Sequence, residues 1–458
     1  MDKYGGDVKN RARFLIEIIS SAKEVVGQTY PVWCRINGRE FGLEGGITPD
    51  EAQQIARLAQ DAGCDAIHVS GYGTGGARQL PPIGYPVGYF SRLAEGVKKV
   101  VGIAVIAVGR ITPEFGEGLL QQGKADFISM GRALIADPDL PNKVASREFE
   151  DIKPCLSCNG CLDSIEGFHS PDRSLRCAVN ATVGKERESA VYPAERAKKV
   201  LIIGGGPAGL EAARVATLRG HHLVLFEKDT DLGGQLHTAS LAPHKQSIQS
   251  LTTYLVHQVQ KLGVKVELSK EADMGQVEEL NPDVVVLATG SSSIVPEIRG
   301  IERAHVFFAQ DVLMGKVSVG ERVIIIGGEL VGCETGEFLA DRGKKVTITR
   351  RGPEMATKMP LSTQRLLLDR LATKGVTLLT GVKYEEITDE GLLITTKEGE
   401  KHIIEADTIV LAAGARPNTE LFEALKDKGY ETYLAGDCIE PRSILNAIHD
   451  GSEVGRTI

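Results

Sequence analysis

Four cysteines, Cys155, Cys158, Cys161 and Cys177, stand between a run of parallel-sheet signals and a glycine-rich turn. Cys-x2-Cys-x2-Cys with a more distant fourth cysteine is a pattern that ligates an iron–sulfur cluster. Three closely spaced thiolates wrap one face of the cluster and the distant one closes the other. Zinc also accepts four thiolates, and unligated thiols are the plainest alternative. The neighbouring sequence favours iron. Glycine turns suited to redox dinucleotides follow, and a chain that handles such cofactors uses one-electron carriers, a role zinc does not fill. A 4Fe-4S cluster is the expectation.

The first of those turns is Gly204-Gly205-Gly206-Pro207-Ala208-Gly209. It follows a strand-like run, Val200–Ile203, and opens a helix to about Arg219. A second strand, Leu223–Phe226, ends on Glu227. In this context Gly204 makes the turn, Gly206 lets the backbone approach a pyrophosphate, and Gly209 permits helix–strand packing. The helix N-terminus stabilises the anion, and Glu227 accepts hydrogen bonds from a ribose. The design recurs where Val323–Ile326 enters Gly327-Gly328-Glu329-Leu330-Val331-Gly332 and a later strand, Lys345–Thr349, ends at Arg350-Arg351. Gly327, Gly328 and Gly332 keep the turn, but Glu329 takes the middle position, where its carboxylate would face the pyrophosphate unless it turns away. Arg350 and Arg351 stand where an acid is usual. An arginine there suits a 2′-phosphate, and so NADPH over NADH.

The elements that position these turns are those of parallel sheets. After a helix over 10–27, strand-like runs (Pro31–Ile36, Ala66–Ser70, Ile103–Val108, Asp126–Met130) alternate with helices near 49–62, 91–101, 113–122 and 138–146. That alternation means βα units. Thr48-Pro49-Asp50-Glu51 and Thr112-Pro113-Glu114 are helix starts, with a capping Thr, Pro at the first helical position and acids against the dipole. A charged stretch, Lys185–Lys199, links the cysteine segment to the nucleotide domains. With 53 basic and 61 acidic side chains, the net charge of −8 argues against nucleic acid or anionic membrane as main partner. No apolar stretch reaches the roughly 20 residues of a membrane helix. Eight cysteines, four of them (Cys34, Cys64, Cys333, Cys438) in core-like runs, fit a reducing compartment, and cytoplasm is the expected location.

Gly204–Leu210, the turn Gly233-Gly234-Gln235, Leu287-Ala288-Thr289-Gly290 and Gly436-Asp437 resemble the two-domain module of the flavoprotein disulfide reductases. The resemblance implies FAD on the first copy, held also by Gly234, Gln235, Ala288, Gly290, Gly436 and Asp437, and NAD(P)H on the second. It makes Leu411–Pro417 the segment that returns the chain to the FAD domain. No Cys-x4-Cys pair lies near the first copy, so disulfide reduction is not expected.

The order of barrel, cysteines and nucleotide module resembles the multidomain old yellow enzyme group, which includes 2,4-dienoyl-CoA reductase, enoate reductases and trimethylamine dehydrogenase. Asp2–Gly6, Asn10–Phe14, Gly109-Arg110-Ile111 and Gly131-Arg132-Ala133 carry the likeness together with the cysteines and the loops. It implies an α/β chain with the C-terminal half of a (β/α)8 barrel over 1–150 and an iron–sulfur segment over 151–190. An FAD domain over 191–315 and 405–458 and an NAD(P) domain over 316–404 follow, both Rossmann-like. By the same resemblance Arg35 reaches the FMN pyrimidine edge, and Gly109, Arg110, Gly131 and Arg132 hold the FMN phosphate. His68 and Tyr72 are candidate catalytic residues, Tyr72 as a proton donor in the loop 71–76.

Electrons would pass from NAD(P)H to FAD, the cluster and FMN, and reduce an activated C=C bond in an enoate, enoyl-CoA or similar small molecule. An amine dehydrogenase, or a component feeding electrons to another protein, are the alternatives. Relative to the group, one fewer residue separates the second and third cysteines than in some members, and the first barrel half is absent. Four strands cannot close a barrel, so the sequence predicts a fragment, a homo-oligomer or a complementing N-terminal half.

Overall fold

Thr48 accepts a hydrogen bond from Glu51 N at 3.3 Å while the Glu51 carboxylate accepts from Thr48 N at 2.9 Å. This reciprocal box starts the helix Pro49–Asp61 where the sequence predicts it. Thr112 caps Pro113–Gln121 with a single bond, accepting from Phe115 N. The computed structural model describes residues 2–73, 82–168, 171–426 and 428–458, which fall into two units, Met1–Leu134 and Ile135–Ile458.

The first unit holds strands β1 (Trp33–Phe41), β2 (Ala66–Gly73), β3 (Ala104–Ala107) and β4 (Phe127–Ile128), joined in that order in one sheet. Every pairing is parallel, as right-handed βα crossovers require. Ile67, Val69, Val105 and Ala107 from the strands and Ala56, Ala59, Ala94 and Val97 from the crossover helices make the core. β1 runs past the expected end at Ile36, with a register shift between Asn37 and Glu40. Asn37-Gly38 reads as a turn, but Gly38 lies under the Leu93 side chain, where an added Cβ would stand 2.7 Å from Leu93 Cβ. β2 includes Gly71–Gly73, and the rest of the expected loop, 74–76, lies outside the described residues.

The strands of the second unit are β5 (Lys199–Ile203), β6 (His222–Phe226), β7 (Lys265–Glu267), β8 (Val284–Leu287) and β9 (Ser291–Ser293). They continue with β10 (Val306–Phe308), β11 (Arg322–Ile326), β12 (Lys345–Arg350), β13 (Thr377–Thr380), β14 (Lys383–Ile387) and β15 (Gly391–Thr395). β16 (Lys401–Glu405), β17 (Thr408–Leu411), β18 (Ala415–Pro417) and β19 (Glu431–Leu434) complete the set. Two parallel five-stranded sheets result, β19-β8-β5-β6-β7 and β10-β17-β11-β12-β13, with a small antiparallel sheet β14-β15-β16.

The central strands are apolar on both faces. Val200, Leu201, Ile202, Val284, Val285 and Val286 are fully buried, as helices covering both sides of a parallel sheet demand. β9 and β18 pair antiparallel, Arg416 opposite Ser292. The run Leu411–Pro417 thus leaves the second sheet through β17 and rejoins the strand that follows β8 of the first.

Candidate functional site

At the carboxyl end of β5 the chain turns so tightly that side chains have no room. A Cβ on Gly209 would stand 1.9 Å from Gly204 O, and one on Gly204 2.3 Å from Ala288 O. A Cβ on Gly206 would meet nothing within 4 Å, so that face of the turn, at the start of the helix Pro207–Leu218, is open. Glu227 is buried at the end of β6, and its carboxylate accepts from Gly205 N at 2.6 Å and Asp229 N at 2.9 Å. It therefore braces the turn itself. Gly234 crosses close over the turn, its Cβ position 3.1 Å from Gly206 Cα. Gln235 Nε2 donates to Ser291 Oγ at 3.1 Å and to Asp437 Oδ2 at 3.3 Å.

The structure thus brings Gly204, Gly206, Gly209, Glu227, Gly234, Gln235, Ala288 and Asp437 to one end of one sheet. Gly290 joins them through its carbonyl, which accepts from Asn418 N. Gly436 adopts φ 77 and donates to Asp450 Oδ2. Sequence reasoning missed Ser291, Asn418 and Asp450. Asn418 clasps Thr289 from both sides, donating to its carbonyl and accepting at its own carbonyl from the threonine hydroxyl. Only the pairing of β9 with β18 reveals that contact.

The cysteine segment is built into the same core. Leu156, Cys177, Ala178, Val179 and Val183 pack in one hydrophobic cluster with Ala208, Leu210, Ala212 and Leu445. His449, on the helix Ile444–Thr457, lies 3.0 Å from the Cys177 carbonyl through Nε2. Ser157 and Asn159 both take positive φ, curling the chain past Cys155 and Cys158 into the short helix Gly160–Ile165, which carries Cys161. Burial pushes the Cys158 thiol up to about 12, aided by the other three cysteines and opposed by the Gly160 N–H. Cys177 is pushed up to about 11, again first by burial, with the Val179 and Asn180 N–H groups opposing. None of the four cysteines is joined in a disulfide.

Neighbouring cysteines add to the upward push on Cys158 and Cys177, yet among the described residues no three His, Cys, Asp or Glu side chains gather closely enough to hold one metal ion. Ser157 N donates to Cys155 Sγ at 3.4 Å, and backbone N–H groups act on Cys158 and Cys177, the kind of hydrogen bonding to sulfur that tunes a thiolate-held iron–sulfur cluster.

The second turn repeats the close packing of the first. A Cβ on Gly332 would stand 1.8 Å from Gly327 O, one on Gly327 2.1 Å from Ala412 O, and one on Gly328 2.2 Å from Met355 Sδ. Glu329 has turned aside. Its carboxylate accepts from Thr357 Oγ1 at 2.8 Å and Lys358 N at 3.2 Å and pairs with Arg350 at 2.5 Å. Arg350 Nη2 also donates to Thr357 Oγ1, and Nη1 is buried without a hydrogen-bond partner. The Arg351 guanidinium lies 5.2 Å from the centre of the Tyr384 ring.

In the first unit, paired residues of β1 and β2 place Arg35 opposite His68. Arg35 Nη2 donates to Ser70 Oγ at 2.9 Å, and strand alternation puts His68, Ser70 and Tyr72 on one face. His68 is buried with Nε2 unpartnered. Burial, then the Arg35 charge, holds its imidazole below the ordinary value, so it is neutral at pH 7. Gly109 and Arg110 follow β3 with positive φ. Phe90 lies over Gly109 and Gly71, and Arg110 donates through Nη1 to the Tyr85 carbonyl. Gly131 and Arg132 follow β4, and no atom lies within 4 Å of a Cβ built on Gly131. Ser70, Tyr85 and Phe90 carry no motif and were not foreseen.

The profile of the NADH:flavin oxidoreductase / NADH oxidase family matches residues 1–150, and that of pyridine nucleotide-disulphide oxidoreductases matches 198–451. An NADH oxidase of Thermoanaerobacter brockii is 41% identical over 463 residues, covering 99% of this chain and 70% of that protein. The chain belongs to the NADH:flavin oxidoreductase family. Within it, a cinnamate reductase of Clostridium sporogenes is 35% identical over 478 residues, covering 100% of this chain and 70% of that one. The solved structure of a 2-naphthoyl-CoA reductase in complex with 2-naphthoyl-CoA superposes with a TM-score of 0.94 at 34% identity. That match covers 100% of this chain and 70% of that chain. This NADH:flavin oxidoreductase therefore sits with the 2,4-dienoyl-CoA and enoate reductase group, and its cofactors are FAD, FMN, NAD(P)H and a 4Fe-4S cluster. The residues present fit them: an open turn beside Gly206, four cysteines of which Cys155, Cys158 and Cys177 receive backbone N–H groups, and an unpartnered imidazole nitrogen at His68. Among the described residues no helix is long and apolar enough to cross a membrane.

Proposed function

We propose that this chain works as an NAD(P)H-dependent reductase of activated C=C bonds in enoates, enoyl thioesters or comparable α,β-unsaturated carbonyls. The observation that carries the reading is the shared core of the cysteine segment and the first nucleotide turn. A shared core supports the reading because it would hold a one-electron carrier's ligands beside a flavin-type cradle. When bound, FAD accepts a two-electron hydride and releases single electrons, which the cluster requires and which FMN recombines for the substrate.

The chain's own residues do the positioning. Gly204, Gly206 and Gly209 open the backbone to pyrophosphate, and Glu227 fixes that turn and offers its remaining acceptor capacity to a ribose. Gln235 and Asp437, already bonded to each other, orient the flavin's polar chain, flanked by Gly234, Ala288, Gly290 and Gly436. Cys155, Cys158, Cys161 and Cys177 hold the iron. Gly327, Gly328, Gly332, Arg350 and Arg351 frame the nicotinamide nucleotide. On the first unit, Arg35 stabilises negative charge on reduced flavin, while Gly109, Arg110, Gly131 and Arg132 hold a phosphate at strand ends. Neutral His68 hydrogen-bonds the substrate carbonyl or the flavin, and Tyr72 donates a proton.

We also place the protein in the cytoplasm, where cysteines outside disulfides stay reduced. Its four-stranded sheet is completed by further βα units, on a longer chain, a second copy or a complementing partner. Trp33 on β1 and Phe127 on β4, the sheet's outer strands, are 60% and 59% exposed, which supports that reading.

Anaerobic assays with cinnamate and a panel of enoyl thioesters test the function. We expect one NAD(P)H consumed per saturated product. An enzyme loaded with flavin and iron that oxidises NAD(P)H with dyes but reduces none of these acceptors would refute it and leave an electron-transfer component.

A further inference from the structure

The two nucleotide turns share a backbone and differ at one telling position. In the first, Gly206 leaves open the space a dinucleotide pyrophosphate would take. In the second, the equivalent residue is Glu329. A free carboxylate rooted there would repel the pyrophosphate. It is not free, because Arg350 pairs with it at 2.5 Å and Thr357 Oγ1 and Lys358 N donate to it.

We propose that Arg350 is a positioning residue rather than a phosphate ligand, and that with Glu329 it makes the second turn prefer NADH over NADPH. This rests on the reading above that the second turn takes the nicotinamide nucleotide. It departs from what the strand-end position of Arg350 suggests in sequence.

The guanidinium is committed. Nη2 serves Glu329 and Thr357, and Nη1 is buried, so a 2′-phosphate reaches the terminal nitrogens only by breaking the Glu329 pair or uncovering Nη1. Such a phosphate would bring roughly two negative charges beside a carboxylate already holding the arginine. A ribose 2′-hydroxyl brings no charge and donates to the Glu329 oxygens. Arg350 meanwhile draws the Glu329 side chain out of the pyrophosphate path. The pair therefore admits the nucleotide that lacks the extra phosphate.

The test is rapid mixing of the anaerobic, FAD-loaded full chain with NADH or NADPH, reading flavin bleaching against nucleotide concentration. We expect the native protein to bind NADH at least about tenfold more tightly than NADPH. Glu329→Gly should free Arg350 and narrow or invert that ratio, with Glu329→Gln intermediate. Arg350→Ala should weaken NADH as well as NADPH, because Glu329 is released toward the pyrophosphate, and Glu329→Gly combined with Arg350→Ala should restore NADH. A native preference for NADPH would overturn the proposal. So would an Arg350→Ala variant that loses NADPH alone while binding NADH as before, the behaviour of a direct phosphate ligand. No bleaching by either nucleotide in FAD-loaded protein is a different failure. It would overturn the nucleotide reading of this domain, and the preference with it.

Discussion

The turn after β5 and the turn after β11 are two solutions to one problem. Both force a glycine carbonyl to within 2 Å of where a later glycine's Cβ would stand, at Gly209 and at Gly332. In each, a charged residue at the end of the next strand interacts with the turn, Glu227 just after β6 and Arg350 at the end of β12, but with opposite charge. Glu227 braces the first turn by accepting Gly205 N, whereas Arg350 braces the second by binding a side chain, Glu329. The first turn carries no side chain at its middle position, Gly206, and leaves that face clear. The second spends an ion pair to keep its own side chain out of the way. In the proposed reading, backbone geometry admits the dinucleotide and the side chain at the strand end sets how it is held.

The largest effect that could break this comparison is steric. Gly209→Val and Gly332→Val each place atoms on a carbonyl oxygen, and each should cost about 3–5 kcal/mol, read by urea unfolding. If the turns are equivalent, the first variant loses FAD and the second keeps FAD while losing bleaching by nucleotide. Next, Gly206→Glu copies the second turn into the first without an arginine to restrain the acid. FAD retention should fall by at least about a hundredfold, from like-charge repulsion of several kcal/mol, measured by ultrafiltration. Retention unchanged would mean that the open face is not where the cofactor lies.

A third test uses buried acids. Glu211, on the helix of the first turn, is neutralised by Arg214 one turn along the same helix at 2.6 Å. Glu337, on the helix of the second turn, is neutralised by Arg370 at 2.7 Å and Lys374 at 3.0 Å from outside that helix. Burial alone would raise the Glu337 carboxyl, but the Arg370 and Lys374 charges outweigh it and hold it below the ordinary value of 4.5. A depressed carboxyl contributes stability that is present above its unfolded value and drains away as pH falls through its folded one. The second domain should therefore lose stability progressively below about pH 4.5, and Glu337→Gln should flatten that slope. Unfolding curves between pH 3 and 6 that leave the slope unchanged in the variant would contradict this. The smallest expected effect is Glu227→Gln, which keeps an acceptor but loses the charge. FAD should weaken by about tenfold, near 1–2 kcal/mol, in a flavin fluorescence titration.

Much of this was legible from residue type and spacing. The Thr48 and Thr112 caps fixed two helix starts, because a side-chain oxygen placed before Pro has one local use. The glycine spacings located both turns, because only glycine tolerates carbonyl contacts that close. What stayed hidden depends on contacts across long stretches of chain. Nothing local announces that Asn418 clasps Thr289, that Glu329 is drawn to Arg350, or that Cys177 and Ala208 share a core. The extension of β1 through Asn37-Gly38 was masked for a related reason: the dipeptide favours a turn, and packing under Leu93 overrides it.

The most direct measurement is an anaerobic NADH titration of the native protein, following flavin absorbance and the cluster's EPR signal together. Flavin bleaching should be accompanied by a reduced 4Fe-4S signal in the native chain, and Cys158→Ser should bleach without it. Zinc in place of iron at the four cysteines, or a cluster that stays oxidised while the flavin is fully reduced, would contradict the placement of both on one electron path.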